Sequence, residues 1–315
     1  MTTATVTEQA EPAAVAARPP AAARRKRRPD NGAGWGFVAP FAVLFLAFLV
    51  VPVLIGLYLS FTNQSLTGAG GRIVGFDNYL EAFADADMWR SIGNTLVFTV
   101  LSTIPLVVIA LVLALLVDAG LPGQWLWRLS FFMPYLLAST VVSIFWIWLY
   151  TPQLGLINVL LKPFGVPDMA YLNDPATAMH AVVITTVWWT VGFNFLLYLA
   201  ALQNIPAQQY EAASLDGAGR LRQLWSITIP QLAPTTVLIV ILQVLASLKV
   251  FDQVYQMTTG GPGGATRPVI EYIYEAGFTG FRFGYSAAIS FLFFALIVIV
   301  SLVQFGITSR RGRTA

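Results

Sequence analysis

Five uncharged apolar runs are the sequence feature that most constrains the fold. They cover residues 36–61, 94–117, 131–150, 181–202 and 285–307. Each run supplies the roughly 20 residues that an α-helix needs to cross about 30 Å of hydrocarbon. A sixth run, residues 233–255, reaches that length only if Lys249 and Asp252 are counted within it. We therefore predict six membrane spans.

The length of these runs also selects the kind of membrane protein. Backbone N–H and C=O groups in lipid need partners within a helix or a closed barrel, and barrel strands take only about 10 residues. Charged residues make up only 10% of the chain, against about 25% in soluble domains. The sequence predicts an all-α, six-helix transmembrane bundle over residues 35–309.

Basic residues are concentrated at the two ends of the chain and predict its orientation. Residues 1–34 carry the run from Arg24 to Arg28, and residues 310–315 carry three further arginines. Lys and Arg are retained on the cytoplasmic side of a membrane, so both termini are expected in the cytoplasm. Residues 1–34 lack apolar periodicity, which predicts a disordered tail that contacts anionic lipid rather than nucleic acid.

The segment between the fourth and fifth spans, residues 203–231, has the pattern of a helical elbow. Pro206 suits the first turn of a helix, where its missing N–H costs nothing, and good helix formers follow it. We predict a short helix to about Asp216, then a sharp turn in which Gly217 and Gly219 adopt positive φ.

A second helix of the elbow is predicted over residues 220–227, closed by Pro230. Glu211 offers a charge to a partner. Small side chains would let another protein approach the backbone closely: Ala212, Ala213 and Ala218.

These residues together resemble a known signature. In order and spacing the segment is similar to the EAA loop of the integral-membrane permease subunits of binding-protein-dependent ABC importers. In that family the loop is a coupling helix that docks into a cleft on a cytoplasmic ATPase. The residues that match, and to which the resemblance assigns this contact, are Glu211, Ala212, Ala213, Asp216, Gly217, Ala218, Ile227 and Pro230.

The resemblance implies a fold and a set of partners. The fold would be that of the MetI-like ABC permeases, in a bacterial cytoplasmic membrane. The partners would be a second, homologous permease subunit, two ABC ATPase subunits and an extracytoplasmic solute-binding protein.

The chain itself is not expected to be an enzyme. The phosphate-binding pattern G-x-x-x-x-G-K-[ST] occurs nowhere in it, so ATP is expected on a separate subunit. The sequence has no cysteine and a single histidine, His180. This composition excludes thiolate nucleophiles and the usual zinc ligand sets, and we expect no metal or cofactor on this chain.

Polar and ionisable groups inside the spans are the candidates for a substrate path, because such groups are costly in lipid. Lys249 and Asp252 lie three residues apart and would share a face of the fifth helix, although Lys249 could equally snorkel to the interface. A tryptophan wall with amide and hydroxyl groups suits the apolar faces and hydroxyl rims of sugars, and it could equally be ordinary helix packing. The remaining candidates are Trp188, Gly192, Asn194, Gln243 and Ser247.

Further motifs resemble the carbohydrate-uptake branch of the same family, which includes glycerol-phosphate-type relatives. They include Phe76-Asp-Asn-Tyr79, Phe132-Met-Pro-Tyr135, Thr258-Thr-Gly-Gly-Pro262 and Gly284-Tyr-Ser-Ala-Ala288. The likeness extends from about residue 35 to the carboxyl end. The resemblance implies ATP-driven import of a sugar or a related sugar or glycerol-phosphate compound.

Two alternatives stay open at this point. The cargo of such a permease could be a polyamine, an amino acid or a phosphate compound. An ion-coupled secondary transporter would instead need intramembrane carboxylates along an ion path, for which Asp252 is the single candidate.

Overall fold

The computed structural model describes residues 31–68, 71–120 and 122–311, with the side chains of residues 31–35 and 309–311 left out. Within these ranges the regular structure is helical, apart from one antiparallel bridge between Thr62 and Ile73. Nearly all of the predicted amino-terminal tail, and residues 312–315 of the carboxyl-terminal tail, lie outside the described residues.

The chain divides into two compact units, of which the first ends at Pro52. Helix α1 (Asn31–Phe45) continues through a π-helical turn, Leu46–Val50, into α2 (Val51–Ser60). The π-helical turn stands just before Pro52, which has no N–H to donate. Residues 36–60 form an apolar helix long enough to cross a membrane, as predicted for the first span.

The second unit begins at Val53 and contains the remaining helices. Its elements follow the predicted spans and connecting segments. In chain order they are α3 (Asp77–Ala84), α4 (Ala86–Asp118), α5 (Gln124–Phe132), α6 (Ser139–Tyr150), α7 (Leu156–Leu161), α8 (Ala178–Gln203), α9 (Ala207–Leu215), α10 (Arg220–Gln223), α11 (Ile229–Leu248), α12 (Asp252–Met257), α13 (Val269–Tyr274) and α14 (Phe283–Arg311).

The third span differs from the straight helix predicted over residues 131–150. Helix α5 ends at Phe132, a 3-10 turn covers Met133–Leu136, and α6 leaves at an angle of 99° to the first segment. Pro134 lies in this turn and cannot donate a hydrogen bond, and extended backbone at Leu137 and Ala138 separates the two helices. With this bent pair counted as one crossing, the described residues contain six helical segments that could cross a membrane.

The fifth span also differs from the prediction. Helix α11 ends at Leu248, Phe251 takes φ −151° and ψ −68°, and α12 starts anew at Asp252. Lys249 and Asp252 therefore do not share one face of a continuous helix. The prediction from their spacing is wrong on this point.

The helical segment of this span begins earlier in the chain than predicted. Helix α10 passes through a second π-helical turn, Leu224–Thr228, directly into α11, so that residues 220–248 form one continuous helical segment. Pro230 does not close a helix, because the wider turn before it removes the need for its missing N–H. The π-helical turn precedes Pro230 by the same spacing as the first one precedes Pro52.

The bundle is organised around α4 and α8, which run parallel. Near their amino-terminal ends Phe98 and Val182 share one apolar cluster, and further along Leu106 and Phe195 share another. A third cluster joins α4, α13 and α14 around Ile289. The segment between α8 and α11 therefore lies at the carboxyl-terminal ends of α4 and α8. Helix α3 lies at the opposite end of the bundle, where α4 begins.

Candidate functional site

The elbow between α8 and α11 begins with α9, which starts after Pro206 and ends where predicted. The N–H of Gly217 donates to the carbonyl of Ser214 at 3.0 Å, and the N–H of Ala218 donates to the carbonyl of Ala213 at 2.9 Å. This pair of bonds is a Schellman cap, which requires a left-handed residue just beyond the helix. Gly217 supplies it with φ +78°. Gly219, predicted to have positive φ as well, is extended at φ −69° and ψ 165° and stands before α10.

A single amide side chain holds the two short helices of the elbow together. Gln223 Nε2 donates to Ser214 Oγ at 2.8 Å, to the carbonyl of Ala218 at 3.0 Å and to the carbonyl of Tyr210 at 3.5 Å. The hydroxyl of Tyr210 pairs with Thr228 Oγ1 at 2.9 Å, which ties α9 to the π-helical turn. Gln223 is not predicted from the sequence, where its only signal is an amide side chain one helical turn beyond Gly219.

The elbow has apolar and charged side chains that are exposed on its surface. Leu215 is 90% exposed, Leu221 70% and Trp225 65%, and Glu211 is also exposed. Large exposed apolar groups on a soluble surface mark binding sites, so the elbow is a candidate docking surface.

Four of the eight signature residues surround one cleft of about 220 Å³ on the elbow. Ala213, Asp216, Ala218 and Ile227 line it. Arg222, Gln223 and Ser226 complete the lining. Glu211, Ala212 and Pro230 are exposed outside this cleft, and Gly217 shapes the turn beside it.

A second cavity, of about 210 Å³, lies near the end of α11 and opens to the surface at Lys249 and Asp252. Four of the predicted path residues line it: Gln243, Ser247, Lys249 and Asp252. Other polar groups in the lining are Ser139, Thr186, Thr190 and Gln253, and Trp189 supplies an aromatic face.

Hydrogen bonds position the polar groups of this cavity. Asn194 Nδ2 donates to Gln243 Oε1 at 3.2 Å, so Asn194 supports the cavity from behind its lining. Ser247 Oγ pairs with Ser102 Oγ of α4 at 3.1 Å. The Oγ of Ser139 is buried and has no partner, which leaves one hydrogen-bonding group available to a ligand.

Two of the predicted path residues lie elsewhere. Trp188 faces away from the cavity and packs on Trp146, with ring centroids 5.6 Å apart, while Trp189 lines the cavity and its indole N–H donates to the carbonyl of Leu137. Gly192 is a close-packing position, because a Cβ there would lie 2.1 Å from the carbonyl oxygen of Phe131.

The charges of the cavity are not neutralised by each other. In the part of the chain that the structure describes, the ion pairs are Arg267 with Asp87 and Glu275, and Arg282 with Glu81. Lys249 and Asp252 take part in none of them, and both are exposed. The cavity therefore offers a cation, a carboxylate, several hydroxyl and amide groups and one flat aromatic face.

Two carboxylates stand at the end of the bundle away from the elbow. Burial opposes ionisation of Asp85, but hydrogen bonds from Tyr272 and Tyr285 and from two backbone N–H groups outweigh it, and the pKa of Asp85 is lowered. Glu271 is fully buried and neither of its carboxylate oxygens has a hydrogen-bond partner. Burial, with repulsion from Glu275, raises the pKa of Glu271 to about 7.

Comparison with known proteins places this geometry in a family. Residues 89–313 match the model of the family described as binding-protein-dependent transport system inner membrane component. The chain is 35% identical to the sulfoquinovosyl glycerol transport system permease protein SmoG of Agrobacterium fabrum, over 84% of this chain and 87% of that protein. It is 34% identical to the sn-glycerol-3-phosphate transport system permease protein UgpA of Shigella flexneri, over 85% of this chain and 91% of that protein.

A solved structure has the same fold. A chain from the crystal structure of a bacterial ABC transporter involved in the import of the acidic polysaccharide alginate superposes with a TM-score of 0.78. The two chains are 25% identical, and the match covers 89% of this chain and 96% of that one.

Proposed function

This chain belongs to the binding-protein-dependent transport system inner membrane component family, and from that membership we propose how it works as the membrane-spanning permease subunit of an ATP-driven importer. A motor subunit docks on the elbow formed by α9 and α10. The elbow's exposed Leu215, beside the cleft lined by Ala213 and Asp216, is the observation that carries this assignment. ATP is bound and hydrolysed on that motor subunit.

The connection between elbow and cavity supports a mechanical role. One helical segment runs from Arg220 to Leu248. Gln223 is at the elbow and Gln243 lines the cavity, and 20 residues of helix between them span about 30 Å at 1.5 Å per residue. A displacement of the elbow is therefore transmitted along a single helix to the cavity. The motor has to favour one arrangement of the bundle over the other, because a ligand with equal affinity for both states shifts nothing.

The cavity suits a hydroxylated cargo. Trp189 offers a flat face to the C–H side of a sugar ring, and Gln243, Ser247 and Ser139 offer hydrogen-bonding groups around it. Lys249 donates and Asp252 accepts hydrogen bonds at its rim. The cargo is a sugar or a related sugar or glycerol-phosphate compound, in keeping with the names of the two relatives above.

The working assembly contains four kinds of chain. A second permease of the same fold completes the pathway, two ATPase subunits engage the two elbows, and an extracytoplasmic solute-binding protein delivers the cargo. Both tails and the elbow lie on the cytoplasmic side, in accordance with the basic residues of both tails and with Arg220 and Arg222 on α10.

Uptake of labelled solutes by the complete importer tests this function. We expect uptake of a sugar from a panel of sugars, glycerol phosphates, polyamines and amino acids, and we expect it to cease when the ATPase carries an inactivating change in its nucleotide site. Uptake of a polyamine or an amino acid alone would replace the cargo assignment. Uptake that continues with the inactive ATPase would refute coupling to ATP and favour an ion-driven transporter.

A further inference from the structure

Helix α3, which lies between the first and second predicted spans, carries an apolar face that no helix among the described residues covers. Phe76 at its start, Leu80 and Phe83 follow one another at helical spacing and lie on one side. They are 68%, 66% and 55% exposed. The opposite side is buried: Asn78 Nδ2 donates at 2.8 Å to the carbonyls of Ser60 and Thr62.

The third side of α3 is charged. Asp77 and Glu81 are exposed and lie one turn apart. Glu81 also forms an ion pair with Arg282 at 2.5 Å. A helix with one apolar face and one charged face at a bilayer boundary lies in the plane of that boundary, with its apolar face among the acyl chains.

The apolar face of α3 is continuous with the exposed side of a predicted membrane span. The ring of Phe83 packs on that of Trp89, with centroids 6.3 Å apart, and the indole N–H of Trp89 donates to the carbonyl of Phe83 at 2.9 Å. Trp89 lies in the first turn of α4 and begins an exposed stripe of that helix, which continues through Leu96, Val100 and Ile104.

Hydrogen bonds to the ends of two apolar helices set the depth of α3. Asn78 of α3 donates to the carbonyl of Ser60, the last residue of α2, and Asp85, just beyond α3, accepts a hydrogen bond from Tyr285 in the first turn of α14. Both α2 and α14 belong to apolar segments that can cross a membrane, so α3 lies at the level where these segments end. Tryptophan at such a boundary is typical of the aromatic belt of membrane proteins.

We infer that α3 is an interfacial anchor, which lies in the membrane surface at the end of the bundle away from the elbow. The lipid bilayer covers the apolar face of α3, and Leu80 and Phe83 insert into it, while Asp77 and Glu81 face water.

The anchor is connected to the last span through Asp85. This residue follows α3 directly, accepts hydrogen bonds from the backbone N–H groups of Asp87 and Met88, and accepts further bonds from the hydroxyls of Tyr272 and Tyr285. Tyr285 is in the first turn of α14. The anchor therefore fixes the depth of one end of α14, while the elbow at the opposite end of the bundle stays free to move.

Spin labelling measures this depth directly, because the chain has no cysteine of its own. L80C and D77C variants, each labelled with a nitroxide, are reconstituted with the complete importer into bilayers of phosphatidylethanolamine and phosphatidylglycerol. Collision rates with oxygen, which concentrates in lipid, are compared with those of a water-soluble nickel chelate. F83C provides a second site on the apolar face if L80C fails to assemble.

We expect the oxygen-to-nickel collision ratio to be several-fold higher at Leu80 and Phe83 than at Asp77. Equal ratios at the two faces would place α3 in water and overturn the inference. Labels on the apolar face that are shielded from both reagents would also overturn it, since a protein and not lipid would then cover α3. Neither result would alter the assignment of the elbow, which uptake tests separately.

Discussion

A methyl group added at Gly192 should separate α5 from α8. An ideal Cβ at this position lies 2.1 Å from the carbonyl oxygen of Phe131 and 2.7 Å from the Cα of Phe132. Both atoms belong to backbone at the end of α5, so no side-chain rotation relieves the overlap. The carbonyl must move by about 1.3 Å to reach an ordinary contact distance of 3.4 Å.

The cost of G192A follows from this displacement. Overpacking in a close-packed interior costs about 1–3 kcal/mol, and we expect the upper end of that range because backbone has to shift. The shift would also disturb the neighbouring cavity, since the carbonyl of Leu137, just beyond α5, accepts the indole N–H of Trp189. We therefore expect G192A to lower both thermal stability in detergent and the affinity for cargo.

A matched control lies in α4. Gly93 is also inside a helix, but a Cβ there meets nothing within 4 Å. G93A should be neutral or stabilise the protein, because alanine is favoured over glycine in a helix by about 1 kcal/mol. Thermal unfolding and uptake are measured for both variants. Equal midpoints and equal uptake for G192A and the wild type would refute the close approach of α5 to α8.

Three further predictions concern the elbow and the buried carboxylate. Q223M removes the amide that donates to Ser214 and Ala218. It should cost only about 0.5–1.5 kcal/mol, because water can reach the acceptors left behind, and it should lower the amount of cargo taken up per ATP hydrolysed while assembly is retained. An unchanged ratio of uptake to ATP hydrolysis would exclude a role of Gln223 in holding α9 and α10 together. G217P should abolish uptake while membrane insertion stays intact, because proline cannot adopt the φ of +78° found there. E211K should have the same effect, because it reverses an exposed charge. Normal uptake by both variants would exclude α9 as the coupling element. The raised pKa of Glu271 favours its neutral form in the folded protein, so the stability it contributes is present below its ordinary pKa of 4.5 and is lost as the pH rises to about 7. The thermal midpoint of the wild type should therefore fall over this pH range, and that of E271Q should fall less. An equal fall in both proteins would contradict the raised pKa of Glu271.

The long helices could be predicted from the sequence because lipid leaves few choices. The uncharged runs that predicted the second, fourth and sixth spans lie within α4, α8 and α14, since a helix is the way for such a run to satisfy its own backbone. The end of α9 and the left-handed Gly217 were also predictable, because a Schellman cap depends on local sequence alone.

The breaks within the spans could not be predicted in the same way. Pro134 indicated a kink, but the 99° bend also requires extended backbone at Leu137 and Ala138, two residues with no local preference that signals it. The end of α11 at Leu248 falls in the sequence Ser247-Leu-Lys-Val-Phe-Asp252, which has no proline or glycine to mark it. Tertiary packing sets both breaks.

The rotation of each helix about its axis was the other unknown. Adjacent tryptophans on a helix point about 100° apart, and the sequence does not say which of them faces inward. The structure places Trp189 on the cavity and Trp188 against Trp146. Gly192 was chosen for the substrate path by its position in the fourth span, and its role in packing became visible only with Phe131 beside it.

Photo-cross-linking from Leu215 tests the central claim most directly. A photoreactive amino acid replaces Leu215, which is 90% exposed on the elbow, and in a separate control it replaces Leu154, which is 78% exposed between α6 and α7. In the complete importer we expect Leu215 to capture the ATPase subunit and Leu154 not to capture it. Capture of the ATPase from Leu154, or its absence from Leu215, would contradict the docking of a motor on this elbow.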